Sequence, residues 1–177
     1  SGAQDVAVRV TDYTDSKGFP RGKQTLYPGG IMYTSTTGIW QTVWLEAVPA
    51  TYIDNFRLIP NIDNSTLAFS LDKLSGTTIR ARYRFKIFDS GKEIADITSS
   101  SQSTTLKIPQ PVKLWSPDDP VLYDMRIYLL HGITGELIDS VSTYFGMRKI
   151  SKELVDGHYR MMLNNEFVFQ IGPLDQG

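Results

Sequence analysis

The stretch Ile79-Arg80-Ala81-Arg82-Tyr83-Arg84-Phe85-Lys86-Ile87-Phe88 alternates apolar and basic residues over almost its whole length. Successive side chains of a β-strand point to opposite faces, so the apolar residues are predicted to face a core and the basic residues solvent. A basic stripe could instead bind nucleic acid. The formal net charge of −1 favours a solvated outer face and predicts no nucleic-acid partner.

Six further strand-like segments surround this one, separated by clusters of Gly, Pro, Asn and Asp. They are Tyr52–Ile62, Thr66–Leu71, Lys92–Thr98, Ser103–Ile108, Val121–Leu130 and Leu137–Met147. No window sustains the apolar spacing of a helix. Seven strands within about 100 residues are typical of an immunoglobulin-like sandwich, so the predicted fold class is all-β with that sandwich at its centre.

The predicted sandwich has to be held by apolar burial alone, because the chain contains no cysteine for a disulfide. Tyr123 lies near the start of the predicted sixth strand, where such sandwiches often carry a tyrosine corner. A plain core tyrosine fits the position equally well, and the sequence leaves both alternatives open.

The residues before Pro49 have a different texture. Asp5–Asp12 and Ile39–Glu46 each alternate like a strand, and a loop rich in Gly and Pro over Asp15–Gly30 lies between them. Two strands and a long loop cannot form a stable sheet alone. This region is therefore predicted to belong to a larger domain whose beginning is missing.

The residues after Ile150 predict a connector and a hairpin. Ser151–Tyr159 is polar and is interpreted as the connector, whereas Tyr159–Leu163 and Glu166–Ile171 are short strand-like runs. Asn164-Asn165 lies between the two runs, and asparagine tolerates the positive φ that a two-residue hairpin turn requires. The chain stops soon after this hairpin, which predicts truncation before a following domain.

The titratable residues give little sign of catalytic or metal chemistry. His131 and His158 are the only histidines, and neither context singles out a serine–histidine–aspartate triad. The loop Asp12–Ser16 contains two aspartates, but their spacing is not that of a calcium-binding EF-hand. We therefore predict no metal and no cofactor.

No apolar run approaches the roughly 20 residues of a membrane span, so no membrane span is predicted.

Three segments carry a family resemblance. Thr37–Glu46 reads TGIWQTVWLE, Leu114–Tyr123 reads LWSPDDPVLY, and Met162–Gly172 reads MLNNEFVFQIG. In this order they resemble glycoside hydrolase family 2, the group of β-galactosidases, β-glucuronidases and β-mannosidases. The first is similar to the strand that closes the family's jelly-roll sugar-binding domain. The second is similar to a segment of its immunoglobulin-like domain, whose usual end is similar to Ser142–Ile150. The third is similar to the hairpin before the catalytic (β/α)8 barrel, with Asn165 in place of the usual glycine.

The resemblance implies three regions: the C-terminal part of the jelly roll over 1–49, the sandwich over 50–150, and a connector with the start of the barrel over 151–177. Family members hydrolyse O-glycosidic bonds with retention, using two carboxylates about 5 Å apart. Both lie on the barrel, which this chain lacks, so no catalytic residue is implied here. Asn165-Glu166 superficially resembles the family's catalytic Asn-Glu pair but is interpreted as the hairpin.

The implied parent is a retaining β-glycosidase, with a periplasmic or secreted location favoured over a cytoplasmic one. The implied role of this chain is to scaffold the sugar-binding domain against the barrel. Substrate contacts of the intact enzyme are predicted at Tyr33, Arg21 and Trp40, because exposed aromatic rings stack on sugars while polar neighbours bond to hydroxyls. In the family, the loop before the Thr37–Glu46 strand reaches toward the active site. Packing between domains is an alternative role for Trp40 and Trp44.

Two rival functions predict different properties. A standalone carbohydrate-binding module would bind sugar by itself, through an exposed aromatic platform. A structural or adhesive immunoglobulin-like domain would need the residues before Ala50 to form a closed sheet, and they supply too few strands. A fragment of the larger enzyme is expected to expose Trp40, Trp44 and Phe167–Phe169. It is also expected either to self-associate weakly or to have a disordered loop over Asp15–Met32. Its predicted partner is a carbohydrate substrate, met through the intact parent.

Overall fold

The computed structural model describes Gly2 and residues 5–18, 20–77 and 79–174. Every regular element in those residues is a β-strand, which confirms the predicted all-β class. The chain divides into two compact units. The first comprises Ser1–Glu46 with Gln170–Gly177, and the second comprises Ala47–Phe169.

The first unit has little regular structure. Its strands are β1 (Gln24–Thr25) and β2 (Tyr33–Thr34), which pair in parallel. The prediction of strands over Asp5–Asp12 and Ile39–Glu46 is wrong, because neither segment has a hydrogen-bonded neighbouring strand among the described residues. Alternating side chains supply a face to bury, but a strand forms only where its backbone groups are paired.

The second unit contains an antiparallel sandwich of seven strands in two sheets. Its strands are β3 (Thr51–Asn61), β4 (Thr66–Gly76), β5 (Ala81–Asp89), β6 (Lys92–Ser99), β7 (Ser103–Lys107), β8 (Tyr123–His131) and β9 (Leu137–Phe145). One sheet has the order β3-β4-β7 and the other the order β6-β5-β8-β9. All seven strands predicted for the sandwich are present, and β4 extends to Gly76 rather than ending at Leu71.

The core lies between these sheets and is centred on β5 and β8. The alternating stretch supplies three fully buried side chains, Tyr83, Phe85 and Ile87. Their cross-strand partners on β8 are also buried: Leu129, Ile127 and Met125. From the opposite sheet, Phe69 meets Phe85 edge-on with 4.8 Å between ring centroids. Fully burying one such side chain contributes about 1.5–3 kcal/mol, so the three buried side chains of this stretch make a large contribution to the stability of the sandwich.

The outer face of β5 is polar, as predicted. Arg84 Nε donates a hydrogen bond to Asp96 Oδ1 at 2.7 Å, and Lys86 Nζ donates one to Glu93 Oε2 at 2.7 Å. Both acids lie on the neighbouring strand β6. These exposed pairs add little to stability, but they neutralise half of the basic stripe within the sheet itself.

Two side chains join parts of the sandwich that the strand ladders leave separate. Asp139 Oδ2 on β9 accepts a hydrogen bond from Ile53 N on β3 at 2.9 Å, which links the two sheets. The hydroxyl of Tyr123 accepts a hydrogen bond from Lys113 N at 2.8 Å, and its ring stacks on Phe145. Tyr123 begins β8, the sixth strand of the sandwich, and its buried side chain bonds to the backbone upstream. These are the features of a tyrosine corner.

A three-stranded antiparallel sheet, here called the ribbon, follows the sandwich. It consists of β10 (Ile150–Val155), β11 (His158–Leu163) and β12 (Glu166–Phe167), in that order. The predicted hairpin is confirmed, with φ of 54° at Asn164 and 70° at Asn165, as a type I′ turn requires. The segment Ser151–Tyr159, which is interpreted as a connector, is not irregular, because most of it belongs to the strand β10. No β10 side chain is fully buried, so the apolar alternation that marks a strand is weak there. The final strand ends at Phe167 rather than at Ile171.

Candidate functional site

A groove in the first unit brings together two of the three predicted sugar contacts. It has a volume of about 690 Å³. Its lining residues are Asp12, Thr14, Pro20, Arg21, Gly22, Gln24, Thr36 and Trp40. We call it the Arg21 groove. Arg21 and Trp40 belong to its lining, whereas Tyr33 lies on β2 and is not part of it.

One aspartate organises the loop that carries Arg21. Asp15 Oδ2 accepts a hydrogen bond from the Thr25 hydroxyl at 2.6 Å and another from Leu26 N at 3.2 Å. The same oxygen lies 3.0 Å from Arg21 Nη1 in an ion pair. The hydrogen bond from Thr25, helped by the Leu26 amide and the Arg21 charge, lowers the pKa of the Asp15 carboxyl below its ordinary value. Asp15 is therefore ionised at neutral pH.

A second aspartate lies in the groove lining. Asp12 Oδ1 accepts a hydrogen bond from Thr14 N at 2.7 Å, and its Oδ2 accepts one from the Thr37 hydroxyl at 2.9 Å. Gln24 Oε1 accepts a hydrogen bond from Thr36 N at 3.2 Å. Sequence reasoning missed Asp12 and Gln24 as lining residues. An Asp two residues before a threonine amide is a recognisable turn signal, but it does not reveal that residues 12 and 37 meet.

The acidic loop Asp12–Ser16, which suggests a calcium site by its composition, uses its two carboxylates on protein donors instead. Among the residues that the structure describes, no group of three or more His, Asp or Glu is placed to hold a metal ion. The side chains that line the Arg21 groove can offer hydrogen bonds, charge and aromatic contact.

The aromatic candidates differ in what they face. Trp40 is 87% exposed in the groove wall, so its indole is accessible to a ligand. The ammonium of Lys23 lies 5.8 Å from the ring centroid of Tyr33, so a cation occupies one side of that ring. An accessible indole beside amide, hydroxyl, carboxylate and guanidinium groups suits a hydroxyl-rich ligand that also has an apolar face.

A second exposed surface lies on the ribbon. Four large side chains share one face of its strands and are 48% to 70% exposed: Ile150, Leu154, Tyr159 and Met161. We call this surface the ribbon face. Leu154 lies directly opposite Tyr159 in the register, and the Lys152 ammonium lies 4.6 Å from the Tyr159 ring centroid. Contiguous exposed apolar side chains of this size normally mark an interaction surface.

Hydrogen bonds tie the ribbon to the sandwich. Asn164 Nδ2 donates to the Trp115 carbonyl oxygen at 2.9 Å, and Asn164 Oδ1 accepts from Lys149 N at 3.0 Å. On the outside, the Asp63 carboxylate accepts hydrogen bonds from Lys149 Nζ at 2.8 Å and from Asn165 Nδ2 at 3.2 Å. We call this set the hairpin lock. The ribbon therefore leaves the sandwich in a fixed direction.

The aromatic side chains that the sequence predicts to be exposed are exposed in the structure. Trp40, Trp44 and Phe169 are each at least 75% exposed, and Phe167 is 49% exposed. None of the described segments forms a helix that is long and apolar enough to cross a membrane.

Comparison with known proteins gives consistent matches. The sequence model of the family described as glycosyl hydrolases family 2 matches residues 51–148, which is more than half of the chain. The chain is 30% identical over 173 residues to a putative beta-glucuronidase of Formosa agariphila, covering 88% of this chain and 16% of that protein. It is 33% identical over 118 residues to the beta-galactosidase large subunit of Latilactobacillus sakei, covering 64% of this chain and 19% of that protein.

A solved structure shares the fold. It is the b-glucuronidase of Ruminococcus gnavus in complex with D-glucuronic acid, with a TM-score of 0.56 at 16% identity, and the match covers 70% of this chain and 20% of that one.

The family match begins at the first residue of β3 and ends beyond β9, so it includes the whole sandwich. It also contains the LWSPDDPVLY segment, one of the three segments that carry the resemblance. The chain spans less than a fifth of the length of the curated relatives it matches. The motifs, the sandwich and the family match agree, and this chain belongs to glycoside hydrolase family 2.

Proposed function

We propose that this chain is a non-catalytic portion of a longer family 2 enzyme that hydrolyses O-glycosidic bonds in β-linked carbohydrates. Its proposed regions are the end of a jelly-roll sugar-binding domain over 1–49, the immunoglobulin-like sandwich over 50–150, and a connector with the start of the catalytic barrel over 151–177. In the intact enzyme, the sandwich holds the sugar-binding domain against the barrel.

The observation that carries this proposal is the hairpin lock. It fixes the ribbon on the sandwich through Asn164, Lys149 and Asp63, so the ribbon face has one orientation relative to the sandwich. An apolar face held in a defined orientation suits docking of a further domain. The much greater length of the relatives supports the presence of such domains in the parent protein.

The proposed contribution to substrate binding comes from the first unit. Arg21 and Trp40 share one groove, and we propose that both contact the sugar, with Tyr33 as a further contact outside the groove. The relatives include one enzyme named for glucuronides and one named for galactosides, so both classes of sugar are candidate ligands.

A standalone carbohydrate-binding module is the second candidate. The accessibility of Trp40 within this chain favours it, because an exposed indole beside polar groups can bind sugar without a catalytic domain. The two functions differ in one respect, since only the accessory portion belongs to a protein that turns over glycosides.

The first experiment compares the full-length parent and the 177-residue chain on a panel of chromogenic β-glycosides. Turnover by the parent alone supports the accessory role and identifies the sugar. Turnover by the isolated chain would overturn the non-catalytic assignment. An inactive parent that still binds sugar would favour the standalone module.

The second experiment tests the scaffold role through the ribbon face. Leu154→Ser is expected to lower both the activity and the Tm of the parent, while the isolated chain unfolds as the wild type does. Ile133→Ser is the matched control, because Ile133 is an exposed aliphatic residue in the turn after β8. A parent carrying Leu154→Ser with unchanged activity and Tm would refute docking on the ribbon face.

A further inference from the structure

The Arg21 groove contains a charge arrangement that bears on which sugars it accepts. We infer that Asp15 determines the specificity of this groove for neutral rather than anionic sugars, by holding the charge of Arg21 in an intramolecular ion pair. The inference rests on the proposed sugar-contacting role of the groove, and it concerns the class of sugar.

The hold of Asp15 on Arg21 is built into the loop. Asp15 Oδ2 is itself fixed by the Thr25 hydroxyl and the Leu26 amide, so the carboxylate does not depend on Arg21 for its position. The Asp15 side chain is 17% exposed, compared with 41% for Arg21. A carboxylate that is fixed and partly shielded from water keeps its charge close to the guanidinium.

This ion pair changes what Arg21 can offer to a ligand. A free guanidinium binds a carboxylate best through two parallel N–H donors in a fork. Asp15 already lies 3.0 Å from Nη1, so a sugar carboxylate has to compete with an intramolecular one at that end of the fork. A neutral sugar hydroxyl needs a single donor, and the other guanidinium N–H groups can supply it.

The remaining charge in the groove acts in the same direction. Among the described residues of the lining, Asp12 is the one carboxylate and Arg21 the one cation. Together with Asp15 they give two negative charges and one positive charge, so the local balance opposes an anionic ligand. Each Asp12 oxygen accepts one protein hydrogen bond, and a carboxylate has about four acceptor positions, so sugar hydroxyls can still donate to it.

The test uses the isotopically labelled chain and two small glycosides that differ in charge. Methyl β-D-galactopyranoside and methyl β-D-glucuronide are titrated separately, and binding is followed at the indole N–H of Trp40 by nuclear magnetic resonance. The wild type is expected to bind the glucuronide at least about tenfold more weakly, the effect of one unfavourable charged contact. Asp15→Asn is expected to tighten glucuronide binding about tenfold and to change galactoside binding less than about threefold.

The controls separate charge from structure. The amide side chain that Asp15→Asn introduces retains a carbonyl acceptor for Thr25 and Leu26, so the loop is expected to persist. Adding Arg21→Gln to Asp15→Asn should abolish the gain for the glucuronide. A measurement on the wild type alone gives a second test, because added salt should strengthen glucuronide binding if the groove repels the anion, and weaken it if the groove attracts it.

The outcomes are distinguishable. A wild type that binds the glucuronide as well as the galactoside, or an Asp15→Asn variant without a gain, overturns the specificity inference and leaves the sugar-contacting role in place. No response of Trp40 to either glycoside overturns both. The scaffold role is judged separately, by the activity of the parent carrying Leu154→Ser.

Discussion

The side-chain amide of Asn164 donates a hydrogen bond to the carbonyl oxygen of Trp115, which lies 49 residues earlier in the chain, at 2.9 Å. Its Oδ1 accepts a hydrogen bond from Lys149 N at 3.0 Å. One side chain thus joins the LWSPDDPVLY segment, the residues after the sandwich and the hairpin. Asparagine suits this position because it tolerates a φ of 54° and carries both a donor and an acceptor.

The first prediction concerns the two hairpin residues. Asn164→Gly keeps the left-handed backbone but leaves the Trp115 carbonyl and the Lys149 amide without their partner. We expect it to lower the free energy of unfolding by about 2–3 kcal/mol, measured by urea denaturation. Asn165→Gly is the matched control, because it preserves the same turn and removes only an exposed bond to Asp63, and its effect should stay within about 0.5 kcal/mol. Equal losses for both variants would contradict the role of Asn164.

The second prediction compares two tyrosines that are each 1% exposed, Tyr83 on β5 and Tyr123 on β8. Tyr123→Phe leaves the Lys113 amide without its acceptor, so the free energy of unfolding should fall by about 1–3 kcal/mol. The Tyr83 hydroxyl has no hydrogen-bond partner among the described residues. Burial raises the pKa of Tyr83, and nearby Gln102 offsets part of that rise without reaching hydrogen-bonding geometry.

Tyr83→Phe should therefore be neutral or stabilising by about 1 kcal/mol, because it removes a buried polar group that nothing satisfies. Urea denaturation of the two variants in parallel gives the comparison. If Tyr83→Phe lowers the free energy of unfolding as much as Tyr123→Phe does, the Tyr83 hydroxyl has a hydrogen-bond partner in solution. The hydrogen bond between Tyr123 and Lys113 then stabilises the sandwich no more than the one at Tyr83.

The sequence predicts the sandwich well because each of its strands has one buried face. In β5 the alternation of Tyr83, Phe85 and Ile87 with basic residues is a direct consequence of burial on one side only. The hairpin can also be predicted from the sequence, because few residues other than glycine and asparagine tolerate the positive φ of its two turn residues. Local sequence patterns predict the structure correctly where it depends on the conformation of a single residue or on the burial of one face of a strand.

The same rules fail where pairing and long-range contacts decide. The segment Ile39–Glu46 alternates like a strand, but no neighbouring strand pairs with it among the described residues. Conversely, β10 is a strand with no fully buried side chain, so its pairing with β11 leaves little trace in the apolar pattern. In the Arg21 groove, the contact between Asp12 and Thr37 spans 25 residues, which no local pattern reveals.

The third prediction concerns acid. Four aspartates of the sandwich have a carboxyl pKa below the ordinary value of 3.8, because each carboxylate accepts a hydrogen bond from a cationic side chain. The pairs are Asp54 with Lys73, Asp63 with Lys149, Asp89 with Lys113, and Asp96 with Arg84. When the folded pKa is the lower one, the unfolded chain takes up protons first on acidification. The stabilisation is therefore complete well above pH 3.8 and is lost as the pH falls through the folded pKa values.

The urea midpoint should accordingly decline between about pH 5 and pH 3, and Asp63→Asn should make that decline shallower. Asp118→Asn serves as the control, because Asp118 is exposed in the Ser-Pro-Asp-Asp-Pro turn, without an ion pair among the described residues. A decline of the same steepness in both variants would mean that the Asp63–Lys149 pair does not contribute.

The last prediction separates backbone strain from steric overlap at two glycines. Gly76 ends β4 with φ of 98°, and a Cβ there would overlap the carbonyl oxygen of Ala50, the residue before β3. Gly91 has φ of 82° in the turn between β5 and β6, and a Cβ there would meet open space.

Gly91→Ala should cost about 1–2 kcal/mol of unfolding free energy, the penalty for the left-handed backbone alone. Gly76→Ala carries that penalty and must also push the Ala50–Thr51 backbone away from β4, so we expect a loss above about 3 kcal/mol. Urea denaturation measures both. Similar losses would show that β3 can shift at its first residue without cost, and that the close approach of Ala50 to Gly76 does not constrain the sandwich.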